Sequence, residues 1–226
     1  MSPVRTIGSE LVAVVRRHKG ISGEEAKREA VEWLARVRLP DPARRMDDLP
    51  HRMSGGMRQR AMLALALAGS PRLLVADEPT TALDVTVQAQ ILALLGKLRD
   101  ELGLALLLVT HDLGVVAEIA DRAMVMYAGE IVEKANVEAL FRSPAHPYTR
   151  ALLGARPAPG AKRGTRLPAV EGSVPEPGSR PEGCAFSDRC PEVFDRCRLE
   201  HPRLQPAGDS SSAACFLVEE AKVESR

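Results

Sequence analysis

The chain has 226 residues, room for one domain and part of a second at about 150 residues per domain. Hydrophobic residues make up 45% and charged residues 27%, and 31 Lys plus Arg against 30 Asp plus Glu leave a net charge of +1. That balance supports a buried core and excludes a global field drawing the chain onto nucleic acid or anionic lipid; aromatics at 3% argue against base-stacking surfaces.

In chain order, apolar periodicity predicts a helix over Ile7 to His18, ended by Gly20. Ser22-Gly23-Glu24-Glu25 matches a capping box for a second helix, which runs to about Val37 and stops before Leu39-Pro40-Asp41-Pro42. Ser54-Gly55-Gly56 opens a helical stretch to Ala68. Leu73 to Ala76 is an apolar strand ending in Asp77-Glu78-Pro79. Val85 to Leu102 reads as a helix closed by Gly103, and Leu104 to Val109 as a second strand, ending in Thr110-His111-Asp112. Two strands joined by such a helix predict a right-handed βαβ crossover with parallel strands. Leu113 to Ala120 reads as a helix. Ala123 to Tyr127 and Glu130 to Glu133 read as strands around Ala128-Gly129, and Val137 to Arg142 and Tyr148 to Gly154 as short helices.

Composition changes at Arg156: six prolines and four glycines fall between Arg156 and Pro181, too few apolar groups for a core. This predicts a linker or a surface-hugging arm. All four cysteines follow it, in the segment Cys184 to Cys215, so the body before them suits a reducing cytoplasm. The longest apolar runs fall short of the roughly 18 residues a membrane span needs, and Met1 to Arg5 do not open a signal peptide.

Chemistry concentrates at the strand ends. Asp77 and Glu78 close one strand and His111 the next, and ligands in open α/β sheets sit beyond the carboxyl ends of strands. Asp77 suits magnesium, Glu78 can polarise a water, and His111 can donate to a phosphate oxygen. The plainer reading makes Asp77-Glu78-Pro79 a turn and His111 a helix cap. The Ser54-Gly55-Gly56 turn weighs against it, because a helix N-terminus with small residues lets amides approach an anion.

These residues carry a resemblance. Ser54-Gly55-Gly56-Met57-Arg58-Gln59-Arg60 resembles the signature motif of ABC-transporter ATPases. Leu73 to Pro79 resembles their Walker B strand with its catalytic glutamate, Ala82-Leu83-Asp84 their D-loop and His111 their switch histidine. Thr80 to Thr86, Met126-Tyr127-Ala128-Gly129 and His146-Pro147-Tyr148-Thr149-Arg150-Ala151-Leu152 are similar to the ATP-binding subunits of dipeptide and oligopeptide importers. The resemblance runs from about Ile7 to Leu217.

It implies an α/β fold: a partial P-loop NTPase (ABC ATPase) domain with a mostly parallel sheet and a helical subdomain, plus a C-terminal, loop-rich, cysteine-containing extension. Residues 1–155 would be the C-terminal part of the nucleotide-binding domain, with the helical subdomain at about 7–69 and the Walker B to switch region at about 70–155. Residues 156–181 would be the linker and 182–226 the extension. It further implies ATP with Mg2+ between two head-to-tail ATPase subunits. Ser54, Gly55, Gly56 and Gln59 would face a partner's nucleotide, Asp77 would support magnesium, and Glu78 would activate water. His111 would contact the γ-phosphate, and Asp84 would couple the two sites. The implied partners are a second ABC ATPase, two membrane-spanning permease subunits and, indirectly, an extracytoplasmic solute-binding protein, with no nucleic acid. The implied place is the cytoplasmic face of the membrane, and the solute a peptide or a related small molecule such as nickel.

One departure is large. A phosphate loop needs G-x-x-x-x-G-K-[ST]. The one Gly-Lys pair, Gly96-Lys97, is followed by Leu98 and preceded five residues earlier by Ile91, and no glutamine precedes Gln59. The phosphate loop and Q-loop lie upstream of the signature in the family, so the expectation is an N-terminally truncated subunit, without its first core strands, that does not bind ATP tightly by itself. A non-catalytic interaction or regulatory module supplying only the signature half-site is the alternative. DNA-repair and chromosome-organising ATPases carry a similar Ser-Gly-Gly but need long heptad segments, absent here.

The cysteines follow Cys184-x5-Cys190-x6-Cys197-x17-Cys215, which lacks the short pairs of zinc sites. Four thiolates can hold an iron–sulfur cluster, and cysteine-rich C-terminal segments of some peptide-importer ATPases resemble this one and are associated with a four-iron–four-sulfur cluster. Unligated thiols are the other reading.

Overall fold

The computed structural model describes residues 1–81, 83–155, 170–176, 178–208 and 210–219. They form two compact units, Met1–His111 and Asp112–Arg226. Among the described residues no helix is long and apolar enough to cross a membrane.

The first unit opens with α1 (Ile7–Lys19), whose buried Ile7, Leu11 and Val15 recur at helical spacing. It packs on α2 (Gly23–Arg36), which buries Ala26, Ala30, Trp33 and Leu34. Ser22 stands at the N-cap of α2 as expected, but its side chain makes no cap hydrogen bond. Gly23 enters at φ 61°, outside the helical region, so the first turn is too irregular for the capping box. A single turn, α3 (Pro42–Arg45), follows. Then comes α4 (Gly55–Leu67), packed on α1, α2 and α5 (Val85–Leu102).

Strands β1 (Leu73–Asp77) and β2 (Ala105–Val109) flank α5 in the chain and pair in parallel. They form a two-stranded sheet, with Val75 opposite Leu107 and Asp77 opposite Val109. Parallel neighbours need a long return connection, and α5 is that connection.

The second unit begins with α6 (Leu113–Ile119). Then β3 (Arg122–Tyr127) and β4 (Glu130–Asn136) make a hairpin, with Ala128 at φ 48° and Gly129 at φ 82°. Both turn residues have positive φ, the twist that suits a two-residue hairpin. Helices α7 (Val137–Arg142) and α8 (Pro147–Gly154) follow. The cysteine-bearing segment holds α9 (Asp195–Leu199) and two strands, β5 (Gln205–Gly208) and β6 (Ser211–Ala213). These strands extend the hairpin into an antiparallel sheet of order β3-β4-β6-β5. Among the described residues parallel pairing is thus confined to β1 and β2, and the extension joins its unit through backbone ladders.

Side chains bind this unit together. Tyr127, Tyr148 and Phe186 pack at centroid distances of 4.7–5.4 Å, so the hairpin, α8 and the extension share one aromatic cluster. Arg189 donates to the carbonyls of Val170 and Glu171 at 2.9 and 2.8 Å and to the Tyr127 hydroxyl at 3.2 Å. That contact holds the described end of the Pro/Gly-rich stretch against the sheet; residues 156–169 lie outside the described residues.

Glu133 is fully buried on β4, and its two carboxylate oxygens accept from the Ala145 and His146 amides at 2.8 and 2.9 Å. It thereby fixes where the chain enters α8. Glu133→Ala leaves two amides unpaired and is expected to cost about 3 kcal/mol. Glu133→Gln keeps one acceptor and should cost less. Urea unfolding of both variants checks this; a loss below about 0.5 kcal/mol for Glu133→Ala contradicts the clasp.

Candidate functional site

The β1–β2 register sets Glu78 and His111 at one end of the sheet. The Glu78 amide donates to the Val109 carbonyl at 2.9 Å, with Glu78 at φ 47°. A non-glycine residue in that region is strained, and such strain clusters at functional sites. His111 Nδ1 lies 2.9 Å from Glu78 Oε1, and the Thr81 hydroxyl donates to Oε2 at 2.7 Å. The His111 hydrogen bond first, and that of Thr81 second, hold the Glu78 carboxyl below the usual carboxylate range. Glu78 is therefore an anion at neutral pH with both oxygens engaged. The cluster opens to solvent, with the His111 side chain 81% exposed. Asp77 is exposed at the end of β1.

The signature residues gather elsewhere in the same unit. The Ser54 hydroxyl caps α4, accepting from the Met57 amide at 3.3 Å. Asp84 caps α5, accepting from the Val87 amide at 2.9 Å. The two helix starts press together. A Cβ on Gly56 would lie 2.7 Å from Val87 Cγ1, and one on Gly55 would lie 3.2 Å from Leu83 Cδ2. Gly56 is thus required by packing, a reason the sequence did not reveal. Gln59 sits half-buried on α4. Ala82, between Thr81 and Leu83, lies outside the described residues.

All four cysteines are free, and all line one small cavity with His146, Phe186 and Phe216. The cavity measures about 10 Å³, room for about one water. Burial pushes the Cys184 and Cys190 thiols up and takes Cys215 to about 11. Among the described residues, no three or more His, Cys, Asp or Glu side chains form a group able to hold a metal ion. Thiolates are the donors an iron–sulfur cluster takes, but the four thiols as placed do not form such a group.

Two family models match: "ABC transporter" over residues 3–81, and "Oligopeptide/dipeptide transporter, C-terminal region" over residues 132–197. The oligopeptide transport ATP-binding protein AppD of Bacillus subtilis (strain 168) is 47% identical over 224 residues, covering 99% of this chain and 68% of AppD. The chain belongs to the ATP-binding subunit family of ABC dipeptide and oligopeptide importers. A peptide import ATP-binding protein of Brucella abortus (strain 2308) is 52% identical over 212 residues, covering 94% of this chain. The chain spans 64% of that relative's length. Among solved structures, the MJ0796 ATP-binding cassette dimer in a post-hydrolysis state, bound to ADP and Pi, is 32% identical with a TM-score of 0.54. The match covers 61% of this chain and 59% of that one.

Two groups escaped the sequence reading. Thr81 carries a faint signal, a hydroxyl three residues after Glu78. The Glu133 clasp carries none, since a single acid in a strand reads as solvated. His146, beside that clasp, is 1% exposed, and its Nδ1 accepts from the Tyr148 amide at 3.0 Å. Burial, aided by Arg150, lowers its pKa to about 4. The folded state therefore holds His146 neutral. Its contribution to stability is complete above the unfolded value near 6.5 and is lost as pH falls toward about 4, a difference of about 3 kcal/mol. Chemical denaturation from pH 7 to 4 should show this loss, and His146→Gln should flatten it. Equal slopes in both proteins would contradict it.

Proposed function

We propose that this chain contributes the signature and hydrolytic residues of an ABC ATPase that drives peptide uptake from the cytoplasmic face of the membrane. The observation that carries the reading is the Glu78–His111 hydrogen bond across the tips of two adjacent parallel strands, with Thr81 on the second carboxylate oxygen. An anionic carboxylate beside an imidazole supports a shared role toward one attacking water. The names of the relatives, which describe peptide and oligopeptide import, supply the substrate class.

In this reading Ser54, Gly55, Gly56 and Gln59 cover the γ-phosphate of ATP held by a second ATPase subunit. The capped start of α4 offers amides and a positive dipole end to that anion. Asp77 supports Mg2+, Glu78 polarises the attacking water, His111 contacts the γ-phosphate, and Asp84 links the paired sites. ATP with Mg2+ supplies the phosphoryl bond whose cleavage to water drives the cycle; positioning and charge stabilisation give most of the rate. Residues 1–155 act as the nucleotide-binding part, 156–181 as the connection and 182–226 as the extension. Two permease subunits receive the motion, and a solute-binding protein delivers the cargo to them.

The sequence holds no G-x-x-x-x-G-K-[ST] loop, so the chain alone should bind Mg-ATP more weakly than about 1 mM. Mixed with an intact peptide-importer ATP-binding subunit, Mg-ATP should join the two in a heterodimer visible by size exclusion. Ser54→Arg should abolish that dimer, and Glu78→Gln should lower turnover by about a hundredfold or more. Tight nucleotide binding by the chain alone, or a dimer indifferent to Ser54→Arg, would sink the reading.

For the extension we infer an iron–sulfur role, supported by the convergence of Cys184, Cys190, Cys197 and Cys215 on one cavity. Ligation would need the thiols to deprotonate and draw together. Brown protein with visible absorbance and bound iron, both lost in Cys190→Ser, is the expected result. Colourless, iron-free protein after anaerobic reconstitution contradicts it.

A further inference from the structure

The starts of α4 and α5 meet along one line. Gly56 faces Val87 in the first turn of each helix, where an added Cβ would lie 2.7 Å from Val87 Cγ1. Gly55 faces Leu83 in the same way, with a Cβ 3.2 Å from Leu83 Cδ2. One turn further on, Arg60 donates to the Gln90 side-chain oxygen at 3.2 Å. Arg60 follows Gly56 by one helical turn, and Gln90 follows Val87 likewise, so both contacts lie on the same two faces. The other guanidinium nitrogen of Arg60 donates to the Val37 carbonyl at the end of α2, at 3.0 Å. The helix that opens with the signature turn is thus fixed against α5 at two points, and the point nearer the turn is Val87.

Val87 does not give way cheaply. A β-branched residue in a helix keeps essentially one χ1 rotamer. Its amide is also held, donating to Asp84 Oδ1 at 2.9 Å. Leu83 and Val87 lie on either side of Asp84 in the chain. The segment that carries Asp84 therefore also carries the two side chains on which Gly55 and Gly56 rest. The glycines let the helix starts close, and the branched groups decide how far. Misfit at such a contact moves backbone, and here the backbone is the one whose amides open the helix.

We propose that Val87 is a positioning residue for the signature turn. Its Cγ1, with Leu83 beside it, seats the start of α4 where the amides of Gly55 and Gly56 meet the γ-phosphate held by a second subunit. Val87 acts by contact through Gly56. The proposal rests on the ATPase reading above and adds that the fit of α4 to the partner's nucleotide is set from α5, beside Asp84. Misplacement by about an ångström is enough to weaken such a preorganised contact by an order of magnitude or more.

The test measures Mg-ATP-dependent association of the full chain with an intact peptide-importer ATP-binding subunit by analytical ultracentrifugation. Gly56→Ala should weaken it about tenfold or more. Val87→Ala removes the seat and should weaken it about threefold or more. Val87→Thr keeps the branched shape at a half-buried position and should hold association within about twofold. The deciding variant carries Gly56→Ala and Val87→Ala together. The methyl gained at 56 fills the space given up at 87, so association should return to within about threefold of the parent. A glycine needed only for the approach of phosphate would leave the double variant as weak as Gly56→Ala, and that result overturns the proposal. Melting curves identify a Gly56→Ala chain that does not fold. In that event the Val87 variants decide, and equal association of Val87→Ala and the parent overturns the proposal. A parent chain without Mg-ATP-dependent association overturns the ATPase reading and this proposal with it. A parent that associates while the double variant stays weak sinks the proposal alone.

Discussion

The pairing of β1 with β2 is the constraint on which the site depends. Asp77 and Val109 stand opposite each other although a whole helix separates them in the chain. An antiparallel return would have put the ends of the two strands at opposite edges of the sheet. The crossover through α5 puts both carboxyl ends together, and the side chains just beyond them meet at hydrogen-bond distance. Backbone topology thus does what local sequence cannot: it joins Glu78 to a histidine 33 residues away. The strained φ of Glu78 is the local consequence, because the chain must turn sharply while its amide still reaches the Val109 carbonyl.

The second unit solves a different problem. Its cysteine segment shares the core of the hairpin, to which it contributes Ala185 and Phe186. β6 adds to β4 by backbone ladder, and Phe186 enters the cluster of Tyr127 and Tyr148. The four thiols consequently gather behind a wall of aromatic and aliphatic groups, and burial keeps those of Cys184, Cys190 and Cys215 protonated. His146 is held neutral by the same dry surroundings, and the Glu133 clasp keeps it there.

Much of this was legible in the sequence where periodicity was strong. Helix α5, the hairpin turn at Ala128-Gly129 and the strand pair follow from apolar spacing and turn chemistry. The capping box at Ser22 failed because a glycine in a positive φ region broke the first helical turn. The strands β5 and β6 were hidden: Gln205–Gly208 and Ser211–Ala213 are short, polar and half-exposed, and pair only because β4 offers an edge. Glu133 was invisible for a related reason. Its value lies in two backbone amides of a distant loop, and no one-dimensional pattern encodes them.

The glycines at the start of α4 show why a motif can have two causes at once. The sequence reading gave them to phosphate, since a missing Cβ lets an anion approach the amides. The structure adds a mechanical reason, because Gly56 lies where any side chain would strike Val87. These demands reinforce each other. Close packing of the two helix starts needs a small residue at Gly56, and that small residue leaves the dipole-bearing end of α4 open. The side chains of Ser54 and Asp84 cap the two starts, accepting from the Met57 and Val87 amides. Replacing Gly56 by alanine would therefore disturb packing and exposed amides together. A loss of function in that variant alone would not separate the two, and Ser54 is no cleaner probe, because its hydroxyl caps α4.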